Sequence, residues 1–234
     1  MATFKAFKLI GVRIEYYKLK RMIGEVYRGL GLKSLVCLWM FLGLTPFSLA
    51  EKKILILGDS LTAGYGVELD EAYPARLQEI LDEHDLDYKV IGSGLSGETS
   101  AGGLRRVDWV LRGAVDVAIV ALGGNDGLRG IDVEDTRKNL EAIVEKIRAK
   151  NPETLIVLAG MQMPPNMGEG YTAAFRGMFP DIADSKDVEL IPFLLKDVGG
   201  MAELNQPDGI HPTPEGHKLL ARNVWEVLEG LLEL

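Results

Sequence analysis

Cysteine is almost absent from this 234-residue chain; the one thiol is Cys37. No intrachain disulfide can form, so a disulfide framework is excluded. Beyond residue 50 there is no thiol at all, which removes cysteine as a nucleophile there. Histidine is scarce, so an imidazole base must be His84, His211 or His217. Basic residues are outnumbered, 26 against 34 acidic, for a net charge of −8. That balance excludes a nucleic-acid partner, which needs clustered Lys and Arg against phosphates. Internal repeats and low-complexity tracts are also missing, and 47% hydrophobic residues supply ample core for one domain.

The charge is unevenly placed. Residues 1–50 hold 8 Lys or Arg and 2 Glu, which leaves 18 basic and 32 acidic side chains in the rest. A basic head on an acidic body is the pattern of a targeting segment. Lys18, Lys20, Arg21, Arg28 and Lys33 precede an apolar run over residues 35–44, too short to span a membrane comfortably. Thr45, Pro46 and Phe47 break the run, and Ser48-Leu49-Ala50 sets small residues at −3 and −1 of a cleavage site before Glu51. The expectation is a signal peptide over 1–50, with Met22 as an alternative start, and a mature domain over 51–234. The mature protein is expected in the periplasm or secreted, with no stable membrane anchor, as a monomer. An uncleaved N-terminal anchor is the alternative.

From residue 53 onward strand-like and helix-like segments alternate. Short apolar runs at 53–57, 89–91, 115–122, 155–159 and 188–191 read as strands. Helical spacing marks 73–83, 99–111, 133–150 behind Asp132 as N-cap, and 171–183. Thr213 caps a last helix with Pro214 at its first position. Alternation of this kind predicts an α/β fold with a parallel sheet covered on both faces. Ligands bind beyond the carboxyl ends of such strands. That rule selects the loops 58–66, 92–99, 123–130 and 160–170, all rich in glycine and polar residues.

Serine chemistry is the reading these loops suggest. Ser60 stands just past the first strand in Gly58-Asp59-Ser60-Leu61. The alternative is a plain helix-capping serine. No Gly-x-Ser-x-Gly occurs, so the nucleophile elbow of ordinary α/β-hydrolases is not available. A serine nucleophile needs a base and an orienter. His84 lies among charges and reads as solvated; His217 follows the start of the last helix and reads as surface. His211 lies in Asp208-Gly209-Ile210-His211, close enough to Asp208 for one loop to present both. Alone, that pair could equally be a turn aspartate and a capping histidine. Oxyanion donors are available at Gly97, through its backbone N–H, and at Asn125 in Gly123-Gly124-Asn125-Asp126.

Taken together, Gly58-Asp59-Ser60-Leu61, Gly97, Gly123-Gly124-Asn125-Asp126 and Asp208-x-x-His211 resemble the four ordered blocks of the GDSL/SGNH hydrolase family. The resemblance spans nearly all of residues 53–220. It is greatest to the periplasmic acyl-CoA thioesterase/arylesterase/lysophospholipase group, through residues 123–130 and 208–212. One departure is Gly92-Ser93, where many members begin the second block with Asn. The resemblance implies a flavodoxin-like three-layer sandwich with five parallel strands and no metal or cofactor. It implies that Ser60 attacks the acyl carbon, His211 acts as base, and Asp208 orients His211. The Ser60 N–H, Gly97 N–H and Asn125 amide would bind the oxyanion.

The substrate expectation is a small acyl ester or thioester. Met161, Met163 and Met167 follow the fourth strand and offer a soft apolar surface for an acyl chain, or else pack on the core. The resemblance places Met163 and Pro164 on the acyl groove, and Leu128 could form another wall. Two alternatives stand beside this. An acetyl esterase acting on cell-wall or extracellular polysaccharide would need an aromatic groove, for which Tyr65, Tyr73 and Tyr171 are the candidates. A non-catalytic flavodoxin-like binding module would need neither Ser60 nor His211.

Overall fold

The computed structural model describes residues 51–232, so the expected leader over 1–50 lies outside the described residues. The order is β1 (Lys52–Gly58), α1 (Ser60–Ala63), α2 (Tyr73–Glu83), β2 (Tyr88–Gly94), α3 (Ser100–Val110) and β3 (Val117–Ala121). Then come α4 (Gly124–Leu128), α5 (Val133–Lys150), β4 (Leu155–Ala159), α6 (Glu169–Lys186), β5 (Glu189–Ile191) and α7 (Pro214–Leu228). The five strands are all parallel, in the order β2-β1-β3-β4-β5. This is the expected flavodoxin-like α/β sandwich.

The run Ile54-Leu55-Ile56-Leu57 is apolar at every position because β1 lies inside the sheet with helices over both faces. All four residues are at most 4% exposed. Parallel neighbours cannot be joined by a tight turn, so each connection carries a helix back across the sheet. Right-handed crossovers send α2, which runs from β1 out to β2, to one face. The connections moving the other way put α3, α5 and α6 on the opposite face. Packing agrees: α2 lies against α7, while α5 lies against both α3 and α6. The reversal leaves a crevice between the carboxyl ends of β1 and β3, where an open α/β sheet binds its ligand.

Asp132 and Thr213 cap their helices as expected, and Thr99, expected as the first helical residue, is a third N-cap. Thr99 accepts from the Gly102 N–H at 3.3 Å, Asp132 from Glu134 at 2.8 Å, and Thr213 from Gly216 at 3.3 Å. The differences are local. β2 continues past Gly92 to Gly94, because its register pairs Ser93 and Gly94 with Leu57 and Gly58 at the end of β1. Gly94 has to be glycine, since a Cβ there would run into the backbone of Ala63. The short helices α1 and α4 carry no periodic apolar signal and are seen only in the structure.

His217 corrects the expectation of a surface residue. It is fully buried where α7 meets α2, with its ring stacked at 6.3 Å on Tyr73. The N-cap of α2 is Ala72, which has no side chain to offer the first-turn donors. His217 Nδ1 takes that place and accepts the Tyr73 N–H at 3.2 Å. Only a neutral imidazole can accept there. Burial, with a smaller push from His211, lowers its pKa from 6.5 to about 4.

A base with a depressed folded pKa binds fewer protons folded than unfolded between those two values. The stability that follows is complete above pH 6.5 and is lost as the pH falls towards 4. At roughly 1.4 kcal/mol per pH unit, the gap is worth about 3 kcal/mol. Relative to a His217→Gln variant, the wild type should lose about that much between pH 7 and pH 4. Urea unfolding of both proteins at pH 7, 5.5 and 4 measures this. A difference independent of pH would mean that His217 is not held neutral.

Candidate active site

Ser60 opens α1 directly after β1 and is 8% exposed. Asp59 before it is the N-cap, and its Oδ1 accepts the Leu61 N–H at 3.0 Å. That cap fixes the sharp turn on which the Ser60 hydroxyl is presented. The Ser60 N–H itself is a first-turn donor with no acceptor inside the helix.

The partner of Ser60 comes from the far end of the chain. His211 Nε2 lies 3.0 Å from Ser60 Oγ, and His211 Nδ1 lies 2.7 Å from Asp208 Oδ2. The other Asp208 oxygen accepts the N–H groups of Ile210 and His211, at 2.9 and 3.0 Å. One carboxylate therefore both winds its own loop and grips the imidazole. The His211 N–H, the His211 ring and the Ile210 N–H hold the Asp208 carboxyl down at about 2. It stays ionised and acts as an acceptor, so the proton of His211 belongs on Nδ1 and Nε2 is left free to take a proton from Ser60.

Asn125, in α4 beyond β3, reaches across the β1/β3 crevice. Its Nδ2 donates to Asp59 Oδ2 at 3.1 Å. Gly124 keeps the approach open, since a Cβ there would lie 3.3 Å from that same oxygen. Asp59 is buried without a cationic partner in hydrogen-bond contact. Desolvation pushes its carboxyl up to about 6, against the opposing pull of the Leu61 N–H, the Asn125 amide and His211. One amide proton of Asn125 is committed to Asp59. That bond sets the amide plane.

Gly97 sits in the loop after β2 with φ +78°, the left-handed region that glycine enters without strain. Two arginines fasten this loop. Arg129, just past α4, donates to the Gly97 carbonyl at 2.9 Å and so links the Gly97 and Asn125 loops. Arg106 on α3 binds both oxygens of the buried Glu98 through Nε, at 2.7 and 2.8 Å. It also donates to the carbonyls of Ser93 at 2.8 Å and Gly58 at 3.2 Å. The ends of β1 and β2 are thereby tied to the residue after Gly97. Asp126, fully buried, accepts from the Ser100 N–H and hydroxyl and pins α4 to the start of α3.

Nothing in the sequence pairs Asp59 with Asn125, which the crossovers bring together across 66 positions, or Arg106 with Glu98, eight residues before it in the same loop-to-helix segment. Of the expected substrate wall, Met163 is buried against Gly127 in α4, while Leu128 and Pro164 are exposed. Tyr73 is fully buried, and Tyr171 gives its hydroxyl to the Ile131 carbonyl at 2.8 Å. A cleft of about 650 Å³ between α5 and α6, lined by Asp132, Arg137, Tyr171 and Asp181, does not include Ser60, Asp208 or His211. Among the described residues no group of His, Cys, Asp and Glu is placed to hold a metal ion, and no helix is long and apolar enough to cross a membrane.

Comparisons with known proteins agree with the fold and give the family. The model of the GDSL-like Lipase/Acylhydrolase family matches residues 56–219. Esterase TesA of Pseudomonas aeruginosa is 38% identical over 184 residues, 78% of this chain and 90% of that protein. Thioesterase 1/protease 1/lysophospholipase L1 of Escherichia coli is 36% identical over 196 residues, 83% of this chain and 92% of its own. Among solved structures, the psychrotrophic esterase EstA from Pseudoalteromonas sp., inhibited by monoethylphosphonate, superposes with a TM-score of 0.73. It is 34% identical, covering 77% of this chain and 98% of its own. With the match running from inside β1 to inside α7, the chain belongs to the GDSL-like lipase/acylhydrolase family.

Proposed function

We propose that the protein hydrolyses carboxylic esters and thioesters through an acyl-enzyme on Ser60. The observation that carries this is the unbroken chain from Asp208 through His211 to Ser60, at 2.7 and 3.0 Å. His211 Nε2 removes the Ser60 proton as Oγ attacks the acyl carbon, then delivers it to the departing oxygen or sulfur. Water repeats the sequence to release the acid. The Ser60 and Gly97 N–H groups and the Asn125 amide stabilise the tetrahedral oxyanion. Asp59 acts through Asn125, as a positioning residue. The names of the relatives, an esterase and a thioesterase/lysophospholipase, support both leaving-atom classes.

The acyl chain lies between Leu128, Met163 and Pro164, with the buried Met163 as floor between the two loops. An acetyl esterase for polysaccharide has less support. Of its three candidate tyrosines, two are committed elsewhere and only Tyr65 is on the rim. Residues 1–50 are removed on export, leaving a periplasmic or secreted enzyme that begins at Glu51.

The nucleophile and the amide donor separate in their kinetics. Ser60→Ala should lose roughly 10³–10⁶ in kcat, and a fluorophosphonate probe should label the wild type alone. Asn125→Ala should lose about 10²–10³ in kcat with KM within a few-fold, since the oxyanion is fully charged only in the tetrahedral intermediate. Labelling of the Ser60 variant at another serine, or a rise in KM alone for Asn125→Ala, contradicts these roles.

Chain-length dependence tests the groove. Each methylene in contact is worth about 0.8 kcal/mol. Met163→Gln should therefore lower kcat/KM for octanoyl esters more than for acetyl esters. Equal losses would make the loop scaffold only. Export is read by intact mass: the secreted species should start at Glu51, whereas a full-length form held in the membrane fraction restores the anchor.

A further inference from the structure

The leaving group of an ester has a defined place in this site. During acylation the Ser60 Oγ–C bond forms and the C–OR bond breaks. The proton taken from Ser60 passes from His211 Nε2 to the departing oxygen, which leaves as ROH. That oxygen must come within hydrogen-bond reach of Nε2. Whatever R carries then lies beside the imidazole, on the side away from the oxyanion donors.

The exposed side chain packed against that imidazole is Tyr65. Its ring centroid is 4.4 Å from that of His211 at a tilt of 39°, yet the residue is 52% exposed. An aromatic left half in solvent is not there to fill the core. Its backbone is nevertheless fixed from both sides. The Tyr65 N–H donates to the Ser60 carbonyl at 3.0 Å, and its own carbonyl accepts from Gln206 Nε2 at 2.7 Å. The same Gln206 nitrogen donates to the Pro212 carbonyl at 3.0 Å, and the Gln206 N–H donates to the His211 carbonyl at 2.7 Å. Gln206 crosses over Gly66, where any Cβ would collide with its amide. Tyr65 is thus tied to the nucleophile turn and to the histidine loop at once. Ile210, exposed and next to His211 in the chain, adds a second apolar group.

We infer that Tyr65 is the platform of a leaving-group subsite that selects alcohols carrying a flat aromatic ring. The ring of the alcohol packs on the exposed part of the tyrosine while its oxygen reaches Nε2, and the platform is ordered before substrate arrives. The inference rests on the hydrolytic reading above. It differs from a simple packing role, in which Tyr65 would hold His211 in place for every substrate and every step.

Benzyl butyrate and ethyl butyrate separate the two roles. They share the acyl group and release alkoxides of similar basicity, and only one carries a ring. Tyr65→Ala should lower kcat/KM for the benzyl ester about fivefold, within the range of aromatic pairing. The ethyl ester should change by less than about twofold, and Tyr65→Phe should keep the benzyl preference. The acyl-enzyme has already lost the alcohol, so deacylation, followed by the burst with p-nitrophenyl butyrate, should keep its wild-type rate in Tyr65→Ala. Equal losses on both esters with slowed deacylation would overturn the subsite, because Tyr65 would then be holding His211. No change on either ester would overturn it as well. Failure of the parent reading looks different: the wild type would turn over neither ester above the Ser60→Ala background, and the subsite would fall with it.

Discussion

Ser60 and His211 are 151 positions apart, and their side chains must meet at 3.0 Å. Everything else in the structure serves that constraint. A hydrogen bond of this kind tolerates a few tenths of an ångström, so neither loop can be free to drift. The first loop is held by the Asp59 cap at the end of the buried central strand. The second is held by Asp208, which closes a three-residue turn on two backbone N–H groups before it touches the imidazole. The sheet sets the distance between them, and the α2–α7 packing sets the angle. His217 takes part here too. By satisfying the first turn of α2 it locks the start of α7, the helix that follows the histidine loop directly.

Two aspartates flank the serine, and their surroundings drive them apart. Asp208, near the surface and hydrogen-bonded on both oxygens, is held at about 2; Asp59, buried, is pushed up to about 6. The separation follows from solvation and donors, not from residue type. A low pKa suits a permanent acceptor that must keep imidazole in one tautomer. The raised one reflects the cost of burying a carboxylate so that it can hold the plane of a neutral amide. Stability is spent at Asp59 for position, which is common where backbone or charge is arranged for chemistry.

What the sequence made legible was local. The Asp208-to-His211 spacing, the serine at a strand end and the Gly-Gly-Asn-Asp turn each sit within a few residues, and strand–helix alternation implies which chain ends share an edge. The five strands and their helices follow from periodicity for the same reason. What stayed hidden depends on neighbours that only the crossovers create. Asp59 and Asn125 are 66 residues apart, and Arg106 on α3 reaches Gly58 at the end of β1 across 48. The burial of His217 is equally invisible in the sequence, because its helical position says nothing of α2 lying over it. The short helices α1 and α4 are set by caps and glycines in loops, where no apolar period exists to read.

In the proposed reaction the oxyanion donors and the set Ser60, His211 and Asp208 act on atoms every ester and thioester shares, so they cannot choose among substrates. Choice has to come from the surfaces on either side of the reacting carbon. The candidates for those surfaces on this protein are partly exposed side chains on the loops at the carboxyl edge: Tyr65 and Ile210 about His211, Leu95 near Gly97, and Leu128 beyond Asn125. Leu128 is 42% exposed, and a half-covered wall yields only part of the roughly 0.8 kcal/mol that a fully buried methylene gives. Selection across such a rim is graded and not absolute, because a poorer fit forfeits contacts without meeting a clash or stranding a buried polar group. A tight specificity would need a buried hydrogen-bonding group left unpaired by the wrong substrate. The buried polar groups described around this site, Asp59, Glu98 and Asp126, are already paired with the protein itself. They are spent on holding the loops, which leaves shape and apolar contact as the means by which substrates are told apart.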